Sequence, residues 1–330
     1  MEQHHQVVIL GAGPAGLTAG IYLGRARIST LIVDQGTAGG QMVLSHKVAN
    51  YPGVAETSGA LLSRTMLRQA RAFGAEVVTQ SKVELVDLTS TPKVLELEDE
   101  GRITADAVIL AVGGVPRQLG IPSEQRLKGR GISYCATCDG DFFAGREVVA
   151  IGGGNSAVEE AISLATYASK VTIIHEFDQF QAQPYLVEEA RQNPKLQFLV
   201  NQRVVDFLGD EELSAVVSID QATGQRHEVP AAGCFVFIGY VPRTEPLRGV
   251  VSLSDQNEIL TDENLATEVP GVFAAGDCRR KRYRQITTSV SDGTIAALAA
   301  IEYLGRVEQP AVASSGGSRR LQSQAPPPAG

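Results

Sequence analysis

One pattern occurs twice in this chain and limits its fold more than any other feature. Val7-Val8-Ile9-Leu10 is a short apolar run that enters Gly11-Ala12-Gly13-Pro14-Ala15-Gly16 and then a helical stretch from Leu17 to about Leu23. Glycines at that spacing permit a tight turn, let backbone amides approach a pyrophosphate at a helix N-terminus, and let the helix pack closely on the strand. A second apolar run, Thr30-Leu31-Ile32-Val33, ends in Asp34, with Gln35 beside it in the same candidate site. An acid placed there accepts hydrogen bonds from an adenosine ribose. Later, Glu147-Val148-Val149-Ala150-Ile151 enters Gly152-Gly153-Gly154-Asn155-Ser156-Ala157, an apolar-periodic helix continues to about Ala168, and Val171-Thr172-Ile173-Ile174 forms the next strand. A lone Gly-x-Gly-x-x-Gly is weak, but strand, glycines, helix, strand and acid in series are strong. Two such cradles predict an α/β chain with two Rossmann-like, three-layer nucleotide-binding domains.

Just before the second cradle stands Tyr134-Cys135-Ala136-Thr137-Cys138-Asp139-Gly140. A Cys-x-x-Cys pair closes a small ring when oxidised, and a neighbouring carboxylate can hand a proton to a departing thiolate, so the unit suits reversible dithiol–disulfide chemistry. The competing reading is half of a zinc site. A structural zinc needs four Cys or His ligands, and no second close pair or Cys-x-x-His follows, so no metal is expected. Of the other two cysteines, Cys234 lies in the apolar run Cys234-Phe235-Val236-Phe237-Ile238 and reads as a buried structural residue, whereas Cys278 is open.

Composition agrees with a folded, soluble protein. At 330 residues, 43% of them hydrophobic, the chain has room for about two ordinary domains. The formal charge of −8 argues against general nucleic-acid binding. The polar start Met1-Glu2-Gln3-His4-His5-Gln6 lacks the regions of a signal peptide, and no apolar run reaches the length of a membrane span, so a cytoplasmic location without membrane attachment is expected.

The C-terminal part assigns a flavin to the first cradle. Val272-Phe273-Ala274-Ala275-Gly276-Asp277 is a strand ending in Gly-Asp, and Gln285 to Tyr303 reads as a long helix rich in small residues. An aspartate there can bind ribityl hydroxyls, and the helix N-terminus can face the electron-rich edge of a reduced flavin.

The combination of Gly11 to Gly16, Gly39-Gly40-Gln41, Asn50-Tyr51-Pro52-Gly53, Ala111-Val112-Gly113, Cys135 to Gly140, Gly152 to Glu160, Gly276-Asp277 and Arg284-Gln285 resembles the low-molecular-weight thioredoxin reductases, over almost the whole chain to about residue 305. The resemblance implies a discontinuous FAD domain at 1–117 and 245–305, a nucleotide-type domain carrying the cysteines at 118–244, and a homodimer. Val115-Pro116-Arg117 and Tyr240-Val241-Pro242-Arg243 supply the prolines expected at such boundaries. By the same resemblance Cys138 is the thiol next to the flavin, Cys135 the thiol that exchanges with a partner disulfide, and Asp139 the acid/base. Gly40, Gln41, Asn50, Val83, Ala111, Gly113, Asp277, Arg284, Gln285 and Ile286 match positions that line FAD in the family.

One departure outweighs these matches. NADPH-dependent members carry His-Arg-Arg-x-x-x-Arg after the second cradle's strand, and those arginines hold the 2′-phosphate. Here the run is His175-Glu176-Phe177-Asp178-Gln179-Phe180-Gln181. A phosphate would meet Glu176 and Asp178 in place of guanidinium forks. If each lost charged hydrogen bond contributes about 1.5–3 kcal/mol, the combined loss is several orders of magnitude in affinity. NADPH is therefore not the expected cofactor. Either Glu176 binds the 2′-hydroxyl of NADH, or the cradle is a relic that binds nothing, which Phe177 and Phe180 favour by adding bulk.

This places the chain beside the thioredoxin-reductase-like flavoproteins that lack NADPH motifs, the ferredoxin-dependent and deeply rooted types. The expected function is an FAD-dependent dithiol–disulfide oxidoreductase that passes electrons from a non-NADPH donor through Cys135–Cys138 to a thioredoxin-like disulfide. The alternatives are an NADH-dependent reductase and a flavin/disulfide redox sensor without rapid turnover. An acidic donor such as ferredoxin needs a basic docking surface near the flavin. Arg279-Arg280-Lys281-Arg282-Tyr283-Arg284 offers one. From Arg306 to Gly330 the composition turns to Ser, Gly, Ala, Gln and Pro and reads as a flexible tail.

Overall fold

The computed structural model describes residues 3–45 and 48–308. The first run of elements is β1 (Gln3–Leu10), α1 (Pro14–Arg25), β2 (Thr30–Asp34), α2 (Gly59–Ala72), β3 (Glu76–Thr79), β4 (Val83–Asp87), β5 (Lys93–Leu97), β6 (Gly101–Leu110) and β7 (Gly114–Pro116). The second is α3 (Pro122–Leu127), β8 (Ile132–Ser133), α4 (Ala136–Asp139), β9 (Glu147–Ile151), α5 (Asn155–Tyr167), β10 (Lys170–Ile174), α6 (Pro184–Gln192), β11 (Leu196–Leu199), β12 (Gln202–Leu208), β13 (Ala215–Asp220), β14 (Arg226–Pro230), β15 (Gly233–Val236) and β16 (Tyr240–Pro242). The chain returns with β17 (Val272–Ala274) and α7 (Ile286–Glu308).

Two sheets share one plan. In the first, β3-β2-β1-β6 run parallel, β17 joins parallel to the C-terminal half of β6, and β5 and β4 continue antiparallel from its N-terminal half. In the second, β11-β10-β9-β15-β8 are all parallel. Each glycine-rich turn leaves the C-terminal end of a central strand, β1 or β9, and opens directly into a helix. This is where ligands bind in open parallel sheets. A three-stranded antiparallel sheet, β12-β13-β14, accompanies the second, and β7 pairs with β16 where the chain passes between the two halves.

The apolar runs are continuous because both faces of these strands are covered. Val7 and Ile9 point into one core with Leu17, Leu23, Ala296 and Ala300 of α1 and α7, while Val8 and Leu10 point into another with Leu95, Ile259 and Cys278. Val148 and Ala150 likewise separate from Val149 and Ile151. Helix α1 starts with Pro14, whose fixed φ and missing N–H suit the first turn. It lies so close to the preceding turn that a Cβ on Gly16 would stand 1.8 Å from the Gly11 carbonyl oxygen. Ser58 caps α2 by accepting the Leu61 N–H at 3.2 Å.

Cys234 and Cys278 are both fully buried. Burial pushes the Cys234 thiol well up and the Cys278 thiol up to about 11, and Cys278 Sγ donates to the Leu110 and Ala275 carbonyls at 3.4 Å each. Both are structural, which answers the question the sequence left open for Cys278. Helix α7 runs past the expected start of the tail, and the rest of that tail lies outside the described residues. No helix among the described residues is long and apolar enough to cross a membrane, and none of their side-chain groupings could hold a metal ion.

Phe235 is fully buried, with Phe143 edge-on at 5.4 Å and Phe237 stacked at 6.2 Å. Truncating it removes these ring contacts and leaves a cavity in the core. Phe235→Ala should therefore destabilise the protein by about 3–5 kcal/mol in denaturant unfolding followed by circular dichroism.

Candidate active site

Cys135 and Cys138 form a disulfide across helix α4, with Cα atoms 5.3 Å apart. Local chemistry holds the pair in place. Ser133 Oγ donates to Asp139 Oδ2 at 2.6 Å and accepts the Cys135 backbone N–H at 3.1 Å, so one hydroxyl ties the carboxylate following the pair to the backbone of its first cysteine. Tyr134 donates its hydroxyl to buried Glu124 at 2.9 Å, and burial followed by that bond pushes the phenol up. Glu124 also accepts the Leu119 and Gly120 N–H groups, anchoring the approach to the cysteines. Ser133 and Glu124 were not legible as site residues in the sequence, since neither belongs to a motif.

The disulfide stands between two clefts. One, of about 410 Å³, opens at the first cradle and is lined by Gly13, Pro14, Ala15, Asp34, Gly40, Gln41, Asn50, Ala111, Gly113, Gly276, Asp277, Arg284, Gln285 and Ile286, with Cys138 at its end. The other, of about 820 Å³, is lined by Ser133, Cys135, Cys138, Asp139, Ser156 and Glu160 among others. Cys138 borders both clefts and Cys135 only the second. Tyr240 also borders both, with the Arg284 guanidinium 4.4 Å from its ring centroid.

Most of the residues nominated for the cofactor thus meet at the first cleft, but four do not line it. Gly11 and Gly16 are occupied with packing, as the approach of α1 shows. Gln35 is exposed beyond the end of β2. Val83, on β4, packs against the core on the far face of the sheet. Asp34 is committed in part: its two oxygens accept the Ala12 N–H at 2.6 Å and the Gly36 N–H at 2.7 Å, which holds the turn and leaves lone pairs for a ribose.

The cleft fits a flavin dinucleotide. Gly13 lines it, and no atom stands within 4 Å of where a Cβ on Gly13 would be, so the cradle is open where a pyrophosphate would approach. Asp277 is half-buried, and desolvation raises its carboxyl while Lys281 at 3.8 Å and the Ser289 hydroxyl at 3.1 Å pull it back. At the start of α7, Gln285 Nε2 reaches Cys135 Sγ at 3.9 Å and Gln285 Oε1 accepts from Asn50 Nδ2 at 3.4 Å. Residues of the flavin-type cleft therefore touch the disulfide directly.

The basic run after Asp277 is not the open patch that the sequence suggests. Arg279 Nε and Lys281 Nζ bond Asp292 Oδ2 at 2.9 and 2.8 Å, and Arg284 pairs with Glu258. Arg280 and Arg282 remain exposed. The sequence carries a signal for this: Asp292 is a carboxylate in the second turn of an alanine-rich helix, where a buried, unpaired charge would be costly.

A dinucleotide-type cleft ending at a redox disulfide, with a second cleft on the disulfide's other side, is the layout of a two-domain disulfide oxidoreductase. Residues 5–293 match the model of the pyridine nucleotide-disulphide oxidoreductase family, and the chain belongs to that family. It is 45% identical over 311 residues to a thioredoxin reductase of Peptoclostridium acidaminophilum, covering 92% of this chain and 98% of the relative. With the thioredoxin reductase of Bacillus subtilis it shares 40% identity, covering 93% of this chain and 97% of that one. The crystal structure of thioredoxin reductase from Streptococcus pyogenes superposes with a TM-score of 0.87 at 38% identity, covering 92% and 98% of the two chains. The chain is an enzyme of the flavoprotein disulfide reductase type, and the family implies FAD.

The two sulfurs differ in position, and this predicts different spectra. In the loaded protein, Cys135→Ser should leave a Cys138 thiolate able to give a long-wavelength charge-transfer band with oxidised flavin, and Cys138→Ser should not. Absorbance scans across pH check this, and a band confined to Cys138→Ser would reverse the two assignments.

Proposed function

We propose that this chain is an FAD-dependent dithiol–disulfide oxidoreductase that takes electrons from a donor other than NADPH and reduces the disulfide of a thioredoxin-like protein. Bound FAD would supply two electrons to the nearer sulfur, Cys138. Cleavage of the disulfide leaves two sulfurs, and Asp139, held by Ser133, handles the proton at the freed thiol. Cys135, on the larger cleft, then attacks the partner disulfide as a thiolate, forms a mixed disulfide and releases one partner thiolate. Attack by Cys138 on the Cys135 sulfur releases the reduced partner and re-forms the pair. The acceptor class is taken from the relatives, which are named thioredoxin reductases.

The observation that carries the choice of donor is the run after β10. Glu176, Phe177 and Asp178 are all exposed where NADPH-dependent members place phosphate-binding arginines. The adjoining loop is bonded to the cradle. Gln181 and Ala182 donate their N–H groups to the Gly153 carbonyl at 2.9 and 3.0 Å, and Gln183 N–H bonds Asn155 Oδ1 at 2.7 Å. A Cβ on Gly153 would stand 2.2–2.4 Å from the ring atoms of buried His175, which stacks on Phe180 at 5.2 Å. Gly153, the middle residue of Gly152-Gly153-Gly154, is thus explained by packing, whereas Gly154 is as open as Gly13 of the first cradle. These contacts give Gly153 and the loop after β10 a structural role, the bulk of Phe177 and Phe180 favours a cradle that binds nothing, and the exposed Glu176 carboxylate favours NADH over NADPH if the cradle is used.

The same reading divides the chain into an FAD domain of 1–117 and 245–305 and a domain of 118–244 carrying the cysteines. It is supported by the pairing of β17 with β6 and by the packing of α7 on α1. An acidic protein donor such as ferredoxin would find Arg280 and Arg282 exposed, with Arg282 on the rim of the disulfide cleft.

Anaerobic titration of flavin absorbance with NADPH, NADH and reduced ferredoxin tests the proposal. NADPH should fail to bleach the flavin at micromolar concentration, and bleaching there overturns the charge argument. Fast bleaching by NADH selects that donor. Bleaching only by ferredoxin selects the protein donor, in which case Arg280→Ala with Arg282→Ala should slow reduction at low ionic strength and the difference should fade as salt is added.

A further inference from the structure

Beneath the Gly276-Asp277 turn lies a group of four charges, two of them with buried side chains. Asp292, in the second turn of α7, accepts from three residues: the Gly276 N–H at 3.0 Å, Arg279 through Nε at 2.9 Å and Nη2 at 3.1 Å, and Lys281 Nζ at 2.8 Å. The Lys281 side chain is only 7% exposed, as is that of Asp292, and its Nζ also stands 3.8 Å from Asp277 Oδ1. A lysine is almost never buried so completely unless it is paired, and this one lies between two carboxylates. Arg279 is turned to Asp292 and is not paired with Asp277. Asp277 therefore has Lys281 as its close cationic partner, and its other bond is to the neutral Ser289 hydroxyl.

We propose that Lys281 is a positioning residue for the flavin site: it keeps Asp277 ionised and held as an acceptor on the cleft wall, and Asp292 holds Lys281 in place from α7. The proposal rests on the reading of Asp277 as a ligand of the flavin ribityl chain. The opposing forces are clear from the surroundings. Burial drives the Asp277 carboxyl toward its neutral form, and Lys281 is the largest influence against it. On Asp292 the balance falls the other way: burial raises the carboxyl, but the bonds from Arg279 and Lys281 outweigh that and leave it below the ordinary range. Asp292 is thus a firm anion, able to fix a lysine that also serves the weaker carboxylate beside it. Without the lysine, Asp277 would keep only the Ser289 hydroxyl and the Arg284 charge against burial and against Asp292, and it would relieve the repulsion by taking up a proton and losing acceptor strength.

The test is a double-mutant cycle on FAD affinity, measured by fluorescence when FAD is added back to apoprotein, with thermal unfolding of each apoprotein as a check on folding. Lys281→Met and Asp277→Asn should each raise the dissociation constant about tenfold or more, the size of effect expected when a charged hydrogen-bonding group is lost. If Lys281 acts through the Asp277 charge, the double variant should be no more than about threefold weaker than the weaker single variant. Lys281→Arg, which keeps the charge, should recover most of the affinity. Should Lys281→Met fail to fold, Lys281→Gln removes the charge while keeping a donor and is judged by the same criterion. Losses that multiply in the double variant overturn the inference, because Lys281 would then act independently of Asp277. Unchanged affinity in the Lys281 variants with a loss in Asp277→Asn also overturns it, while the flavin reading of Asp277 stands. Unchanged affinity in Asp277→Asn instead sinks that reading, whatever the lysine does.

Discussion

The chemistry of this protein depends on one junction, where the Cys135–Cys138 segment of one half meets the start of α7 from the other. A disulfide exchanges electrons with a bound cofactor only if it is held against the cofactor's cleft, and exchanges with a second protein only if one sulfur is accessible elsewhere. Both conditions are met by one short helix. Cys138 borders the cleft at the first cradle, Cys135 faces the larger cleft, and Gln285 reaches across to the Cys135 sulfur. On the other side of the junction, Ser133 fixes Asp139 and Phe143 seats the end of the cysteine segment on Phe235 in the core.

Electrostatics around this junction are mostly internal. Six consecutive residues after Cys278 include five cations, a density that suggests a docking surface when seen as a string. Folding spends three of them on carboxylates within the protein, because Asp292 and Glu258 are buried and cannot remain unpaired. What reaches solvent is Arg280 and Arg282, a smaller positive feature on the edge of the disulfide cleft. Charge counted along a sequence overstates charge offered to a partner whenever buried acids lie within reach.

The second cradle illustrates how a motif can persist for reasons of packing. Gly153 has the His175 ring against it, and its carbonyl accepts two N–H groups from the following loop. These contacts require a residue without a side chain whether or not a nucleotide is bound. Gly153 therefore does not by itself distinguish a working site from a structural one, and Gly154, with nothing near its missing side chain, is the glycine that keeps the turn open. The residues at the end of β10 do, since a phosphate needs cations and Glu176 and Asp178 are acids.

The sequence by itself determined the two Rossmann-like halves, their glycine turns, the disulfide and most of the cleft at the first cradle. Each of these is a local pattern: alternating burial on covered strands, a fixed glycine spacing before a helix, two thiols one helical turn apart. Only the tertiary structure decided the separate faces of Cys135 and Cys138, the absence of Val83 and Gln35 from the cleft lining, the burial of Lys281 between Asp277 and Asp292, and the part played by Ser133, Glu124 and Tyr240. Those depend on side chains that are distant in sequence or that belong to no motif. Asp292 meets Lys281 because α7 folds back over the turn that precedes it, and Gln285 meets Cys135, 150 positions away, because the start of α7 packs against the cysteine segment. Spacing encodes contacts within a turn of chain, whereas contacts between turns follow from how the cores pack.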